Sequence, residues 1–439
     1  MRSREARGLD RRFMDNLSHT LAGLLLGKAV LAYRPRALPE ATRRARVVLV
    51  TASALAQNLP DFDFLYAGIT PGKLGYLLHH RGHTHTLPVA LVLAGLLYAG
   101  ARALLARGSP TAFDRRALLG LTLLGPVLHI AMDFSNNYGV HPFWPFDNRW
   151  FYGDAVFIVE PWLWVAAFPA LIASTRGVVR ALLGLLFALC IGLAFIVPVV
   201  PLGLSLALAF TAIALTALAF RLKDPQRFTV ALAAWASVTA LFAVTSARAR
   251  ANAMAAMRPE EGAVLDVVTT PFPGHPFCFN ATLLGTRAEQ YWLRTAQVSA
   301  APGLFPATSC PTGFDTELGT STARLEPARS PSTRAVRLVG SWEGRTAELA
   351  RLAREDCRVH ALMRFVRIPF YRLEGDRWVV GDLRYDRDAR LDFAELSFDA
   401  GSAGQCPPAV PPWRPPREDL LGHGGPARSS DVTGSEAPH

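Results

Sequence analysis

Residues 17 to about 246 hold one long apolar segment after another, and this limits the chain more than any motif it carries. The segments run over roughly 17–33, 46–60, 87–106, 117–135, 155–174, 178–200, 202–220 and 228–246. Each is near the ~20 residues that an α-helix needs to cross a bilayer. Ala181 to Phe220 contains no charged residue at all. Such a run in water would leave a large apolar surface with nothing to cover it. The expected fold is therefore mostly α, a polytopic transmembrane helix bundle of about seven to eight spans. From 247 onward the pattern becomes that of a soluble protein.

The net charge of +11 is not a nucleic-acid signature, because the arginines cluster between the spans. Segment 34–46 holds Arg34, Arg36, Arg43, Arg44 and Arg46, and segment 102–117 holds Arg102, Arg107, Arg115 and Arg116. Segments 175–180 and 221–227 are also basic. The alternate connections, 61–86, 134–154 and 198–202, are poor in charge. The positive-inside rule makes the first set cytoplasmic and the second external. The tail, with Arg2, Arg4, Arg7, Arg11 and Arg12, breaks this alternation, so the first segment is also compatible with a re-entrant helix. A cleaved signal peptide is not expected, since Lys28 interrupts the apolar run.

Three polar patches then stand out at the ends of the apolar segments. The first is Asp15-Asn-Leu-Ser-His19. The second is Pro60-Asp-Phe-Asp63, with His79-His-Arg-Gly-His-Thr-His85 following it. The third is His129-Ile-Ala-Met-Asp133. The charge alternation, counted without them, places all of these on one membrane face. Imidazole and carboxylate are ligands for a divalent metal, and such groups beside apolar sequence are costly unless they work together. Asp15/His19 and His129/Asp133 are each spaced i, i+4, which puts both side chains of a pair on one helix face. The expected metal ligands are drawn from Asp15, His19, Asp61, Asp63, His80, His85, His129 and Asp133, with zinc first and manganese or iron as alternatives. Asp61 is the expected base and Arg81 the expected clamp for an anionic oxygen. Asn136 and His141 are candidate pocket residues, and Glu160 is a candidate support for the site.

Together these patches resemble the YdjM/YfhP-type family of inner-membrane proteins regarded as metal-dependent hydrolases. The resemblance runs through His19 with Gly23, Pro60-Asp-x-Asp63, His80-Arg-Gly-x-Thr-x-Thr86 and His129-x-x-x-Asp133. The family's third motif usually ends in His-Ser, where His85 and Thr86 stand here; His79 and His83 are extras. The His-x-x-x-Asp pair is also similar to the zinc-dependent phospholipase C and nuclease group, which raises a phosphoester expectation by analogy. The resemblance implies a bacterial-type inner-membrane location and a hydrolase.

Beyond Ala263, short apolar runs with frequent Pro and Gly predict a small β-rich α+β domain over 260–405. One amphipathic helix is expected over Ala347–Leu362. Thr270–Phe277 and Val380–Tyr385 look like the family's longer members. Cys278, Cys310, Cys357 and Cys406 all fall in this part, an even number compatible with two disulfides in an oxidising compartment or with four free thiols. Residues 407–439, rich in Pro, Gly, Ser and charge, are expected to be a disordered tail after the helical domain (1–250) and the β-rich domain.

The reading that follows is a membrane-bound hydrolase with its metal site and C-terminal domain on the extracytoplasmic side. Its expected partners are membrane lipids and an amphiphilic phosphoester substrate. The cation would lower the pKa of water while an Asp accepts the proton. A transporter or a metal- or proton-binding membrane protein is the competing class. It predicts polar ligands near the bilayer midplane and an internal repeat, neither of which the sequence shows.

Overall fold

The computed structural model describes residues 15–312, 318–328, 332–391, 393–401 and 404–422. The N-terminal part is a helical bundle built from α1 (Asp15–Ala32), α2 (Arg43–Asn58), α4 (Leu87–Ala106), α5 (Ala112–Phe134), α6 (Pro161–Ala173), α7 (Gly177–Ile196), α8 (Leu202–Arg221) and α9 (Asp224–Ala255). A short helix, α3 (Lys73–His79), lies between α2 and α4. Eight helices correspond to the eight apolar segments. Only five of them, α4, α5, α7, α8 and α9, are long and apolar enough to cross a membrane among the described residues. α1 carries His19 and Lys28, α2 opens on three arginines, and α6 is only 13 residues long. The expected seven to eight spans therefore become five helices that meet the criterion, joined by three that pack among them.

Small residues let these helices approach closely, as membrane bundles require. A Cβ on Gly23 of α1 would stand 2.6 Å from the Ala54 Cα of α2, and Ser53 Oγ donates to the Gly23 carbonyl at 2.7 Å. Gly125 of α5 faces Ala56 of α2 in the same way. α7 and α8 do the opposite, turning Leu182, Leu189, Phe210 and Ile213 outward, as lipid-facing helices do. α5 starts on a capping box between Thr111 and Asp114, and the Arg34 guanidinium pairs with Asp114 at that end. Its other end carries His129 and Asp133. The alternation of helix directions gathers the start of α1, the end of α2, the start of α4 and the end of α5 at one end of the bundle.

α9 does not stop where its apolar segment ends. It continues to Ala255, and Ala249 and Ala253 pack against Phe279, Val298 and Trp292 of the first sheet. That sheet is antiparallel and has the order β1 (Ala263–Phe272), β2 (His275–Arg287), β3 (Gln290–Ser299), β5 (Val336–Arg345), β4 (Glu326–Pro327). A second sheet joins β6 (Pro369–Glu374), β7 (Arg377–Asp382) and β8 (Glu395–Asp399). The single helix expected over Ala347–Leu362 is broken into α10 (Thr346–Glu355) and α11 (Cys357–Leu362). Asp356 causes the break: its carboxylate accepts from the Arg358 and Val359 amides and caps the second helix. The four cysteines form two disulfides, Cys278–Cys310 and Cys357–Cys406, while Cys190 in α7 is a free thiol.

The tail is not disordered from 407 as the composition suggested. Trp413 is fully buried, donates from its indole N–H to the Leu78 carbonyl at 2.8 Å, and is followed by a helical turn, α12 (Glu418–Leu421). One large aromatic in a Pro-rich segment supplies enough buried surface to hold the strand of chain in place. Residues 423–439 lie outside the described residues.

Buried polar contacts lock the bundle to the C-terminal domain. The β1–β2 turn presents Gly274, in the left-handed region at φ +69°, to the start of α6. There the Glu160 carboxylate accepts from the Gly274 and Trp162 amides at 3.2 and 3.1 Å, and the Trp162 indole N–H donates to the Gly274 carbonyl. Glu160 is therefore a helix cap and domain joint, remote from the role expected for it at a metal site. Deeper in, Arg367 forks onto Asp154 at 2.8 and 2.9 Å and onto Asp266 at 2.8 and 3.0 Å, with its guanidinium over the Tyr152 ring at 4.0 Å. Removing one partner of such a buried set leaves charges uncompensated. Arg367→Met is expected to destabilise the full-length protein by about 3–5 kcal/mol, seen as a large fall in melting temperature in detergent. An unchanged melting temperature would show that the joint is not stabilising.

Candidate metal centre

Four short segments converge at the loop end of the bundle. His19 comes from the second turn of α1. Pro60–Leu65 forms a 3₁₀ turn that carries Asp61 and Asp63. His83–His85, a second 3₁₀ turn, leads into α4 and carries His85. His129 and Asp133 sit on one face of α5, one turn apart. His85, His129 and Asp133 are buried, and Asp61 is the most accessible of the set, with its side chain 14% exposed.

Asp61, His85, His129 and Asp133 each present one donor atom to a common point, all within 4.8 Å of one another. The His129 and His85 Nε2 atoms are 3.1 Å apart. Asp133 Oδ2 lies 3.1 Å from His85 Nε2 and 3.4 Å from His129 Nε2. Asp61 Oδ1 is 3.5 and 3.4 Å from the same two nitrogens. For a tetrahedral ion with bonds of roughly 2.0–2.2 Å, neighbouring ligand atoms should be about 3.3–3.6 Å apart. The five spacings that involve a histidine nitrogen are therefore close to what one four-coordinate cation requires.

The outer nitrogens fix the tautomers that a cation would need. His129 Nδ1 donates to the Gln57 carbonyl at the end of α2, so the ring, once it gives up its other proton to make way for a cation, turns its Nε2 lone pair into the cluster. His85 Nδ1 stands 3.5 Å from Asp63 Oδ2, which places a carboxylate behind this ring too. Asp63 is held by the Arg81 amide at 2.8 Å and by His80 Nδ1 at 3.1 Å. In the short 3₁₀ turn, then, Asp61 faces the cluster and Asp63 backs it.

Charge within the cluster is balanced by its own members. Burial pushes the Asp61 carboxyl up, but the His129 charge and hydrogen bonds from His129 and His85 outweigh it and hold it well below the usual carboxylate range. Burial lowers His85, yet its hydrogen bonds to Asp133 and Asp61 and the charge of Asp63 leave it raised. The Arg81 guanidinium is completely buried behind Asp133, with Nη2 2.9 Å from Asp133 Oδ1 and Nη1 donating to Asn136 Oδ1 at 2.7 Å. Arg81 has φ +56°, a left-handed conformation that turns its chain inward. It is thus committed to holding Asp133 and is not placed as a clamp for substrate.

The other expected residues are distributed around this core. His19 stacks on the His129 ring at 3.7 Å and sets Nε2 3.3 Å from Asp133 Oδ1, at the border of the four-atom set. His80 lies outside it, on Asp63. Asp15 is the first residue of α1, and its side chain lies outside the described residues. His79 engages Thr70, and His83 packs against Trp144 and Trp413, so both extra histidines are structural. His141, with its pKa lowered to about 3 by burial, stacks on Trp413 and sets Nδ1 3.3 Å from the Arg81 carbonyl.

Sequence reasoning missed two participants. Gln57 supplies the carbonyl behind His129, and neither atom of its own buried amide has a hydrogen-bond partner among the described residues. An amide in the last apolar turn before Pro60-Asp-Phe-Asp63 was the available signal. Trp413, more than 270 residues away in sequence from the histidines it covers, gave none.

Residues 14–201 match the model of the YdjM inner membrane protein family. That stretch holds all four donors and runs through α7, but it is less than half of the chain's 439 residues. YfhP of Bacillus subtilis (strain 168), described as an uncharacterized protein, is 27% identical over 158 residues. The match covers 36% of this chain and 45% of YfhP, so the chain spans under half the length of that relative. No solved structure matches.

Metal analysis of the purified protein should find about one divalent ion per chain, held by four ligands. His85→Ala and Asp133→Ala should each abolish retention. Asp63→Asn should weaken affinity by about 10–100-fold, and His83→Ala should leave it unchanged. Equal retention by all four variants would remove the cluster as the binding site.

Proposed function

We propose that this protein is a membrane-bound, metal-dependent hydrolase that acts at the membrane face on a lipid or other amphiphilic phosphoester. The observation that carries the reading is the approach of two imidazole nitrogens and two carboxylate oxygens to one point, each histidine backed by an oxygen acceptor. Asp61, His85, His129 and Asp133 would hold the ion, with zinc first in view of the tetrahedral spacing and manganese or iron as alternatives. Bound there, a divalent cation supplies Lewis-acid polarisation of a phosphoryl or acyl oxygen and lowers the pKa of water.

The chain's own groups take the remaining tasks. Asp61 Oδ1 faces the cluster, and Oδ2 has no hydrogen-bond partner among the described residues. As the most accessible of the four, Asp61 is the group to accept a proton from the attacking water. Arg81 and Asn136 keep Asp133 oriented, and Asp63 with His80 does the same for His85. Trp413 and His141 keep water from the rear of the site.

Two features favour an amphiphilic substrate. Phe62, Phe64 and Leu65 flank Asp61 and Asp63 on the same turn, and all three are exposed, the last by 73%. Apolar side chains next to polar ligands suit a molecule with a charged head and a lipid body. The donors also lie at the ends of helices, which favours an enzyme over a transporter with midplane ligands. Both disulfides of the C-terminal domain support an extracytoplasmic side for that domain and for the site it covers.

The test is turnover by the full-length protein in nanodiscs, using a panel of phospholipids and soluble phosphomonoesters and phosphodiesters. Metal-dependent release of a phosphorylated or dephosphorylated product is expected. Chelation should remove it and zinc, manganese or iron should restore it. Asp61→Asn should lower the rate by about 10²–10⁴-fold. A fully metal-loaded protein that turns over no member of the panel would overturn the hydrolase reading.

A further inference from the structure

A cleft of about 990 Å³ lies between α10–α11, the segment 414–422 and the α5–α6 connection. Its charged wall includes Arg149, Arg354, Arg364, Arg367, Arg414 and Arg417, against three carboxylates, Asp266, Glu418 and Asp419. Those carboxylates are already engaged. Asp266 pairs with Arg367, Glu418 with Arg414 at 2.5 Å, and Asp419 with Arg417 at 3.4 Å. Arg149 is paired with Asp147. The excess positive charge falls on Arg354 and Arg364. Arg354 is exposed and has no carboxylate partner among the described residues. Arg364 donates to the Trp413 carbonyl at 2.7 Å and approaches His360 Nε2 at 3.4 Å, both uncharged, and its buried Nε–H has no hydrogen-bond partner among the described residues.

We infer that this cleft binds an organic anion bearing phosphate. Guanidinium forks with unfilled donor positions match the oxygens of a phosphate, which accepts several charge-assisted hydrogen bonds at once. The volume lies at the upper end of ligand pockets, about 300–1,000 Å³, and exceeds what an inorganic ion needs. The remaining wall supplies a surface for an organic body: Trp150, Tyr152, Ala350, Ala353 and Leu421. Trp150 and Tyr152 belong to the connection between α5 and α6, at the bundle end that carries the metal centre. The phosphate can therefore be borne by a lipid headgroup or by a soluble molecule. The inference uses none of the metal ligands and stands apart from the hydrolase reading.

The experiment titrates full-length protein in phosphatidylcholine nanodiscs with inorganic pyrophosphate and follows tryptophan fluorescence. Saturable binding is expected. The Arg354→Gln/Arg364→Gln double variant should weaken it by about ten-fold or more. Arg354→Glu alone, at an exposed position that leaves the fold intact, should weaken it in the same direction while metal content stays at the wild-type level. Nanodiscs doped with phosphatidic acid distinguish the sources. Competition with pyrophosphate assigns a lipid-borne phosphate, and its absence assigns a soluble one. No saturable binding, or wild-type affinity in both variants, would overturn the inference.

Discussion

Two carboxylates and two imidazoles are held together, almost wholly out of water, at the end of a lipid-facing bundle, and the rest of the structure follows from what that arrangement needs. A buried carboxylate is tolerated only when its charge and lone pairs are matched. Asp133 obtains this from Arg81, from His19 and from the two histidines beside it. Arg81 in turn is held by Asn136 and by the loop that bonds its amide to Asp63. The contacts of α1 with α2 and of α2 with α5, close because Gly23, Ser53 and Gly125 are small, bring these groups into reach.

The C-terminal domain completes this enclosure. Trp413 lies over His141 and His83, Tyr138 packs on Phe365, and the Arg384 guanidinium reaches the Asn137 carbonyl at 2.6 Å. The loop after α5, polar and aromatic in turn, is thus sandwiched between the His/Asp cluster and the β-rich domain. The C-terminal domain is thereby part of the wall around the cluster. The Arg367 joint and the Glu160 cap hold that wall in register with the bundle.

Much of the site was legible in sequence, for physical reasons that differ from residue to residue. The i, i+4 spacing of His129 and Asp133 fixes one helix face whatever surrounds it, so the pair could be seen directly. Charge counting between the apolar segments brought the three patches to one end of the bundle, where the structure gathers them. The division of labour between Asp61 and Asp63 was not legible, because it depends on which way a 3₁₀ turn points each carboxylate. The same holds among His79, His80, His83 and His85, where one short turn selects His85 alone for the four-atom set. Arg81 looked like a clamp because its neighbours suggest an open loop, and only its left-handed backbone sends it inward. The Pro-rich stretch around Trp413 has no periodicity, so its order comes entirely from long-range packing.

The central claim, that these four side chains form one metal centre, is tested most directly by X-ray absorption at the metal edge of the protein in nanodiscs. The account predicts a shell of four nitrogen and oxygen neighbours at about 2.0–2.2 Å, outer-shell scattering from two imidazoles, and no sulfur. Loss of the bound-metal signal in His85→Ala would agree with it. A metal-loaded protein whose spectrum shows sulfur ligands, or no imidazole, would contradict it.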